Sequence, residues 1–356
     1  MADAALDPAT VSPAPKRRLP VLSVAQTAPA SPTSVAGTTP PRTVRVSITD
    51  RCDLACVYCR PSRADGYVEK RLGDEAWRTM VRVLVDGGVR RVRITGGEPL
   101  LHPEVVERVA FVASLGVDDL ALTTNATRLT ALARPLRQAG LRRLTVSLDS
   151  LVPERFWRIT RGGRLEGVLA GVAAALEAGF DEIKLNTVVL RGENDDELPA
   201  LTRWAWNRGI TPRFIEVMRV GEGARLSEDR VVSGGEMRAK LAPLLADEPW
   251  AVEPDRGPAR YVRSRESPRL RAGFITGTTD TYCDSCDRLR LASDGTLRPC
   301  LATNDGVAAG PLAEAGDAEG LARALGDAWA LKPDGRTWKG CTESSAASVS
   351  MRAIGG

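Results

Sequence analysis

Long apolar runs are missing from this chain, and nothing in it approaches the ~20 residues that a membrane-spanning helix needs. Aromatic residues are scarce, at 4%. Strong charge of either sign is missing as well. A formal net charge of +4 over 356 residues is too mild to argue by itself for a nucleic-acid partner. So few aromatics also weigh against a stacking surface for single strands. Histidine is nearly absent: His102 stands alone, so no acid–base scheme rests on histidine, and a surface or structural place is expected for it. The dense cysteine framework of a small secreted domain is absent too, because 356 residues hold only seven cysteines. A reducing, cytoplasmic setting is expected. Residues 1–41 lack hydrophobic periodicity and are rich in Ala, Pro, Ser and Thr, which predicts a disordered arm. They show no apolar core followed by a small-residue cleavage site, so a signal peptide is not expected. Lys16-Arg17-Arg18 within them reads as a solvated charge cluster.

What the chain does have is cysteine in two tight groups. Cys52, Cys56 and Cys59 follow one another at C-x3-C-x2-C spacing. Three thiolates on so short a run can hold one face of a cubane iron–sulfur cluster, which four cysteines normally hold. One iron is then open to another ligand. Zinc competes, although its ligands usually come as C-x2-4-C pairs with a second pair further on. Disulfides cannot use all three thiols together. The second group is Cys283, Cys286 and Cys300, with Arg288 and Arg290 close behind the pair. A second three-cysteine cluster would also carry an open iron, able to take a substrate heteroatom. A zinc ribbon completed by Cys341 is the competing reading, with Cys341 otherwise an inert thiol. Arginines beside such a site suit phosphate groups, which they grip bidentately.

From residue 42 onward the chain alternates between strand and helix patterns. Strand-like runs fall at Val44–Ile48, Val92–Ile94, Leu120–Thr123, Leu144–Leu148, Ile183–Val189 and Arg213–Val217. Between them, sets such as Trp77, Met80, Val81 and Leu84 repeat at helical spacing. Six such units predict a parallel sheet, curved as an incomplete version of the eight-unit barrel or open. Alternation along the strands says more. Val44, Val46 and Ile48 share one face, and Arg45, Ser47 and Thr49 the other. Arg93 and Lys184 likewise stand opposite apolar neighbours. Ile215 and Val217 stand opposite Phe214, Glu216 and Met218. Helices cover the outside of a barrel, so the apolar faces are expected to point out. That turns Arg45, Arg93 and Lys184 inward, which is tolerable only if water or a charged ligand fills the interior. An anionic ligand in the barrel mouth is the expectation.

The cysteine loop follows the first strand, at the end where barrel active sites lie. Thr95-Gly96-Gly97-Glu98-Pro99 follows the second strand, Thr123-Thr124-Asn125 ends the third, and Ser147-Leu148-Asp149 ends the fourth. With these motifs in this order, the chain resembles the radical S-adenosylmethionine (SAM) enzymes. Tyr58 stands where that superfamily has an aromatic residue before the third cysteine, and Gly96-Gly97-Glu98-Pro99 resembles the motif that holds the amino group of SAM. The second cysteine group, Ser47-Ile48-Thr49-Asp50-Arg51-Cys52 and the closing Gly355-Gly356 narrow the resemblance, over residues 42–356, to the GTP 3',8-cyclase family of molybdenum cofactor biosynthesis. Asp53, where asparagine is frequent, and Ala126, where glycine is frequent, depart from its pattern.

That resemblance implies an α/β fold, an incomplete (βα)6 radical SAM barrel with a C-terminal extension carrying a second cluster. It also implies two [4Fe-4S] clusters and SAM. Cys52, Cys56 and Cys59 would hold the SAM cluster, and Cys283, Cys286 and Cys300 the auxiliary one. Tyr58, Gly97, Ser147 and Met218 would line SAM. Arg45, Arg93, Thr123, Lys184, Arg288 and Arg290 would contact GTP, and Gly355-Gly356 would reach into the active site. Residues 42–255 are expected to form the barrel, 256–340 the auxiliary-cluster region and 341–356 a tail. The implied reaction is a lyase step. Reductive cleavage of SAM yields methionine and a 5'-deoxyadenosyl radical that takes hydrogen from C3' of GTP; the C3' radical then attacks C8 of guanine, and reduction gives 3',8-cyclo-7,8-dihydro-GTP. Implied partners are an electron donor of unknown identity and a downstream cyclic pyranopterin monophosphate synthase, with a homodimer as one oligomeric option and no nucleic acid or membrane. Two rivals stand beside this reading: another radical SAM enzyme with an auxiliary cluster, such as a peptide-modifying one, and a zinc-stabilised binding module.

Overall fold

The computed structural model of the chain describes residues 41–333, apart from 65, 227, 253–256 and 284–285, together with residues 351, 354 and 355. The expected arm, apart from Pro41, lies outside the described residues, as do Cys341 and Gly356.

Six strands form the centre: β1 (Thr43–Ser47), β2 (Arg91–Thr95), β3 (Asp119–Thr124), β4 (Arg143–Ser147), β5 (Glu182–Val188) and β6 (Thr211–Ile215). They pair in chain order and all run parallel. Sequential parallel order is the arrangement of a singly wound barrel, with every crossover helix on the same side. Those helices include α1 (Asp74–Asp86), α2 (Val105–Ser114), α3 (Leu129–Gln138), α4 (Pro153–Thr160), α5 (Leu165–Ala178) and α6 (Leu198–Trp206). None of the described helices is long and apolar enough to cross a membrane.

The outer core follows from the strand alternation. Val44, Val46, Val92, Ile94, Leu122, Leu144, Val146 and Leu185 are buried in one cluster with Trp77, Met80, Val81 and Leu84 of α1 and with Val168 and Val172 of α5. The opposite parity, Arg45, Arg93 and Lys184 included, faces the concave side. One strand corrects the expectation. β6 carries Thr211, Arg213 and Ile215 on one face and Pro212 and Phe214 on the other, so an assignment that weighs Ile215 with Val217 beyond the strand inverts it. Register decides: Lys184, Asn186 and Val188 of β5 stand beside Thr211, Arg213 and Ile215. Phe214 therefore packs in the outer core against Phe274, and Arg213 and Ile215 turn inward. Ile215 and Val217 had been expected to point out.

The sequence also hid six further strands. After α7 (Gly234–Leu241) come β7 (Ala251–Val252), β8 (Arg260–Arg263), β9 (Arg271–Ile275), β10 (Arg288–Leu291), β11 (Thr296–Arg298) and β12 (Val307–Ala308), then α8 (Gly310–Glu314) and α9 (Ala318–Ala330). β9 joins β6 and β10 joins β1, both parallel, so the extension adds to both edges of the curved sheet. Among the described residues no pairing joins β12 to β7, and the barrel stays incomplete.

Packing of α5 against α3 depends on a close approach. A Cβ on Gly171 would lie 2.3 Å from the carbonyl oxygen of Ala126, whereas nothing lies within 4 Å of a Cβ on Gly167, one turn earlier. Ala126 itself holds a left-handed φ of 63° there. Gly171→Ala is expected to cost about 1–3 kcal/mol through overpacking. Gly167→Ala, exposed on the same helix, is expected to gain about 0.5–1 kcal/mol from helix propensity. Denaturant midpoints of the two variants check both signs.

Candidate active site

Beyond β1 the chain folds the first cysteine group into a loop pinned from several sides. Cys56 O accepts from Cys59 N at 2.9 Å and from Arg60 N at 3.1 Å, which closes a tight turn. Ala55 N and Val57 N donate to Thr160 O and Ile159 O, which lays the loop along the end of α4. Arg161, at φ 54°, donates from Nη1 to Arg60 O (2.6 Å) and Pro61 O (2.7 Å). Tyr58 donates its hydroxyl to Asp149 Oδ2 at 2.7 Å, tying the loop to the end of β4.

Gly96 and Gly97 cross this loop at backbone contact. A Cβ on Gly96 would lie 2.4 Å from Thr49 O, and one on Gly97 2.3 Å from Arg51 O. No side chain fits at either place. Glu98 then joins the ends of β2 and β3: Oε1 accepts from Thr124 Oγ1 (2.7 Å) and Leu100 N (3.0 Å), and Oε2 from Asn125 N (2.7 Å). Burial pushes the Glu98 carboxyl up to about 7, against the pull of those donors. Burial likewise lifts Asp149 to about 6. Asp53, one of the departures from the family pattern, accepts from Asn125 Nδ2 at 2.8 Å and Thr127 Oγ1 at 2.7 Å, so it braces the same corner.

Cys52, Cys56, Cys59, Tyr58, Gly97, Ser147 and Met218 all line one chamber of about 230 Å³, with Glu98, Asn125 and Asp149. A second chamber of about 650 Å³ adjoins it, with Arg45, Thr123, Asn186, Tyr282 and Arg288 in the walls of both. Arg93, Lys184 and Cys286 line the larger one. Among the described residues, nine cationic side chains face it against two carboxylates. Some of that charge is met inside the protein, since Arg93 and Arg143 each reach Asp119 Oδ2 at 2.5 Å and Arg91 reaches Asp287 Oδ2 at 2.5 Å. Even so, among the described residues Arg93 Nη1 and Asn186 Oδ1 are buried without a hydrogen-bond partner. Burial, with the charge of Arg213, pulls the Lys184 amine down to about 7. Burial and the neighbouring Arg290 and Arg288 pull Arg45 well below its ordinary value. A cavity of this kind is built for an anion.

The second cysteine group lies at the opposite end of the strands. β10 runs parallel to β1 with Arg288 beside Thr43, so Cys286 sits where the strands begin and the Cys52–Cys59 loop where they finish. At ~3.3 Å per residue, β1 puts about 13 Å between those ends. Cys286 N donates to Cys283 O at 3.1 Å, and Cys300 Sγ accepts from Ala302 N at 3.3 Å. Arg290 lines the smaller chamber but spends its Nη1 on the returning tail, on Gly355 O at 2.5 Å and Ile354 O at 3.2 Å. A Cβ on Gly355, at φ 73°, would lie 2.3 Å from Thr95 Cγ2. His102 lines neither chamber, and its Nδ1 accepts from Glu104 N at 3.2 Å.

All six described cysteines of the two groups are free thiols. Burial pushes Cys52 up to about 12 and Cys283 up to about 11. Burial also raises Cys286, but Arg288 and Lys332 outweigh it and bring that thiol down to about 7. Buried thiolates need a cation, which iron supplies. Among the described residues no three His, Cys, Asp or Glu side chains converge as the ligands of one ion would. A cubane wants them apart, because each thiolate binds a different iron.

The fold and the cysteine loop define a radical SAM enzyme. Residues 46–205 match the radical SAM superfamily, and residues 210–338 match Molybdenum Cofactor Synthesis C. The chain is 40% identical to the GTP 3',8-cyclase of Pelotomaculum thermopropionicum, over 82% of this chain and 91% of that one. It is 45% identical to GTP 3',8-cyclase 1 of Pseudomonas aeruginosa, over 72% of this chain and 79% of that one. The chain belongs to the GTP 3',8-cyclase family. Among solved structures, Streptococcus suis SuiB bound to S-adenosylmethionine shares the fold, with a TM-score of 0.60 at 16% identity, over 85% of this chain and 68% of that one.

Sequence reasoning gave Arg213 and Arg143 no role in the site, and it turned Asn186 inward beside Lys184 without naming it a site residue. Arg213 shares a face of β6 with Thr211 and Ile215, and its register with Asn186 turns it inward. Lys184 sets a pH dependence. Its free amine loses its proton as pH rises through about 7, and a bound polyanion favours the charged form. The affinity ratio of the wild type to Lys184→Met for inorganic tripolyphosphate is therefore expected to fall, by roughly tenfold, from about pH 6 to about pH 9. Calorimetric titration at several pH values checks it, and a flat ratio contradicts it.

Proposed function

We propose that this chain cyclises GTP to 3',8-cyclo-7,8-dihydro-GTP, an early step of molybdenum cofactor biosynthesis. The observation that supports the reading is that the Cys52–Cys59 loop lines one of two adjoining chambers and Cys286, at the other end of the strands, lines the cation-rich one. Cys52, Cys56 and Cys59 would hold one [4Fe-4S] cluster, and Cys283, Cys286 and Cys300 a second. Tyr58, Gly97, Ser147 and Met218 would line SAM. When bound, SAM and its cluster supply the radical that removes hydrogen from C3' of the ribose, after which C3' bonds to C8 of guanine.

The chain's own residues bind, orient and seclude. Gly96 and Gly97 bring backbone to the chamber wall without side chains. Glu98 and Asp149, each gripped by hydrogen bonds from two elements, fix the geometry of the SAM end. Arg45, Arg93, Thr123, Lys184 and Arg288 would hold GTP, with Arg213 added to them. Arg290 anchors Gly355, which lies close against Thr95 at the end of β2. Fixing both ends of the nucleotide holds C3' in one place and removes most of its freedom before reaction. Because the second cysteine group opens onto the large chamber through Cys286, an open iron there could receive the guanine edge. The product would pass to a cyclic pyranopterin monophosphate synthase, and the electron would come from a donor protein in the cytoplasm.

Anaerobic incubation of the iron-loaded protein with SAM, dithionite and GTP tests the reading. A cyclised guanosine product is expected. GTP recovered intact while SAM is cleaved would overturn it. Replacing Cys283, Cys286 and Cys300 together by alanine is expected to halve iron and sulfide content. Unchanged content would remove the second cluster from the account.

A further inference from the structure

Lys332 follows α9 and is buried, 8% exposed. Its ammonium spends three protons inside the protein, donating to Arg288 O at 2.6 Å, Pro299 O at 2.8 Å and Cys286 Sγ at 3.2 Å. The Trp329 ring lies 5.4 Å from Nζ. Among the described residues its partners are two carbonyls, that ring and one sulfur, with no carboxylate. A buried ammonium without a counter-ion is costly. Two carbonyl dipoles offset part of the cost. The remaining partner must carry negative charge, and a thiolate bound to iron does.

The two carbonyls are not arbitrary. Pro299 precedes Cys300, and Arg288 follows Cys286 by two residues. One side chain thus touches one ligand and the backbone beside both ligand segments. A lysine serving only to satisfy carbonyls would have no reason to aim its third proton at a sulfur.

We propose that Lys332 is the counter-ion of the second cluster, holding the Cys286 and Cys300 segments together and raising the cluster's reduction potential. The proposal rests on reading Cys283, Cys286 and Cys300 as cluster ligands. Reduction adds an electron to an already anionic cluster. A fixed cation and an N–H···S hydrogen bond stabilise that reduced state more than the oxidised one. Lys332 is a positioning residue here, since it acts through Cys286.

The test uses the full chain with Cys52→Ala, Cys56→Ala and Cys59→Ala, so that any iron–sulfur signal belongs to the second group. If this background binds no iron and sulfide, the ligand reading fails, and that failure is distinct from one at Lys332. In the loaded background, Lys332→Gln keeps a donor without the charge. Its midpoint potential, followed by electron paramagnetic resonance, is expected to fall by about a tenfold change in the reduction constant, ~59 mV for one electron. Lys332→Arg is expected to stay near the parent. An unchanged midpoint in Lys332→Gln at full iron content overturns the proposal. Should Lys332→Gln load poorly, Lys332→Met is the second uncharged variant. Loss of the cluster from both, with retention in Lys332→Arg, supports the charge requirement, and loss from all three overturns it.

Discussion

The structure turns on an imbalance of charge inside a sheet that is oily only on its outer face. Among the described residues, nine lysine and arginine side chains look into the large chamber and meet two carboxylates on its wall, with Asp119 just behind. A closed barrel would fill this space with branched aliphatics. Here the outer cluster of Val44, Val92, Leu122, Leu144 and Leu185 with the helices supplies the hydrophobic stabilisation, and the inner face is left free to be polar. Desolvated cations without full compensation make the empty cavity unfavourable, and an anionic nucleotide reverses that sign.

The open barrel explains how the two cysteine groups come to lie along the same strands. Because the extension returns as β9 beside β6 and as β10 beside β1, it continues the same sheet. Its parallel alignment with β1 places Cys286 at the strand starts, while the Cys52–Cys59 loop crowns the strand ends. The separation of the two groups is then set by strand length, and a nucleotide lying along the strands can touch both. Arg161, Glu98, Asp149 and Lys332 do for the loops what the β-ladder does for the strands: they fix irregular backbone with hydrogen bonds from more than one element.

Much of this was legible in the sequence because it is written in short-range patterns. Cysteine spacing needs only neighbours, and strand alternation in β1, β2 and β5 needs only one apolar face. Thus Arg45, Arg93 and Lys184 were placed inward before any coordinates. The failures come from long-range facts. In β6 the apolar Ile215 shares a face with Thr211 and Arg213, and the register against β5 shows that this face turns in. The strands β7 to β12 are short, β8 to β11 carry Arg or Gly among their apolar residues, and β9 and β10 join the sheet through partners far away in sequence. Lys332 reaches across 46 residues to Cys286, and no spacing rule announces such a contact. Tyr58 with Asp149, 91 residues apart, is of the same kind.

The most direct measurement is diffraction at the iron absorption edge from anaerobic crystals grown with SAM and GTP. The account predicts two iron–sulfur centres, one on Cys52, Cys56 and Cys59 and one on Cys283, Cys286 and Cys300, opening onto a shared hollow with the triphosphate against Arg45, Arg93 and Lys184. A single iron centre, or two that open onto separate surfaces, would contradict it.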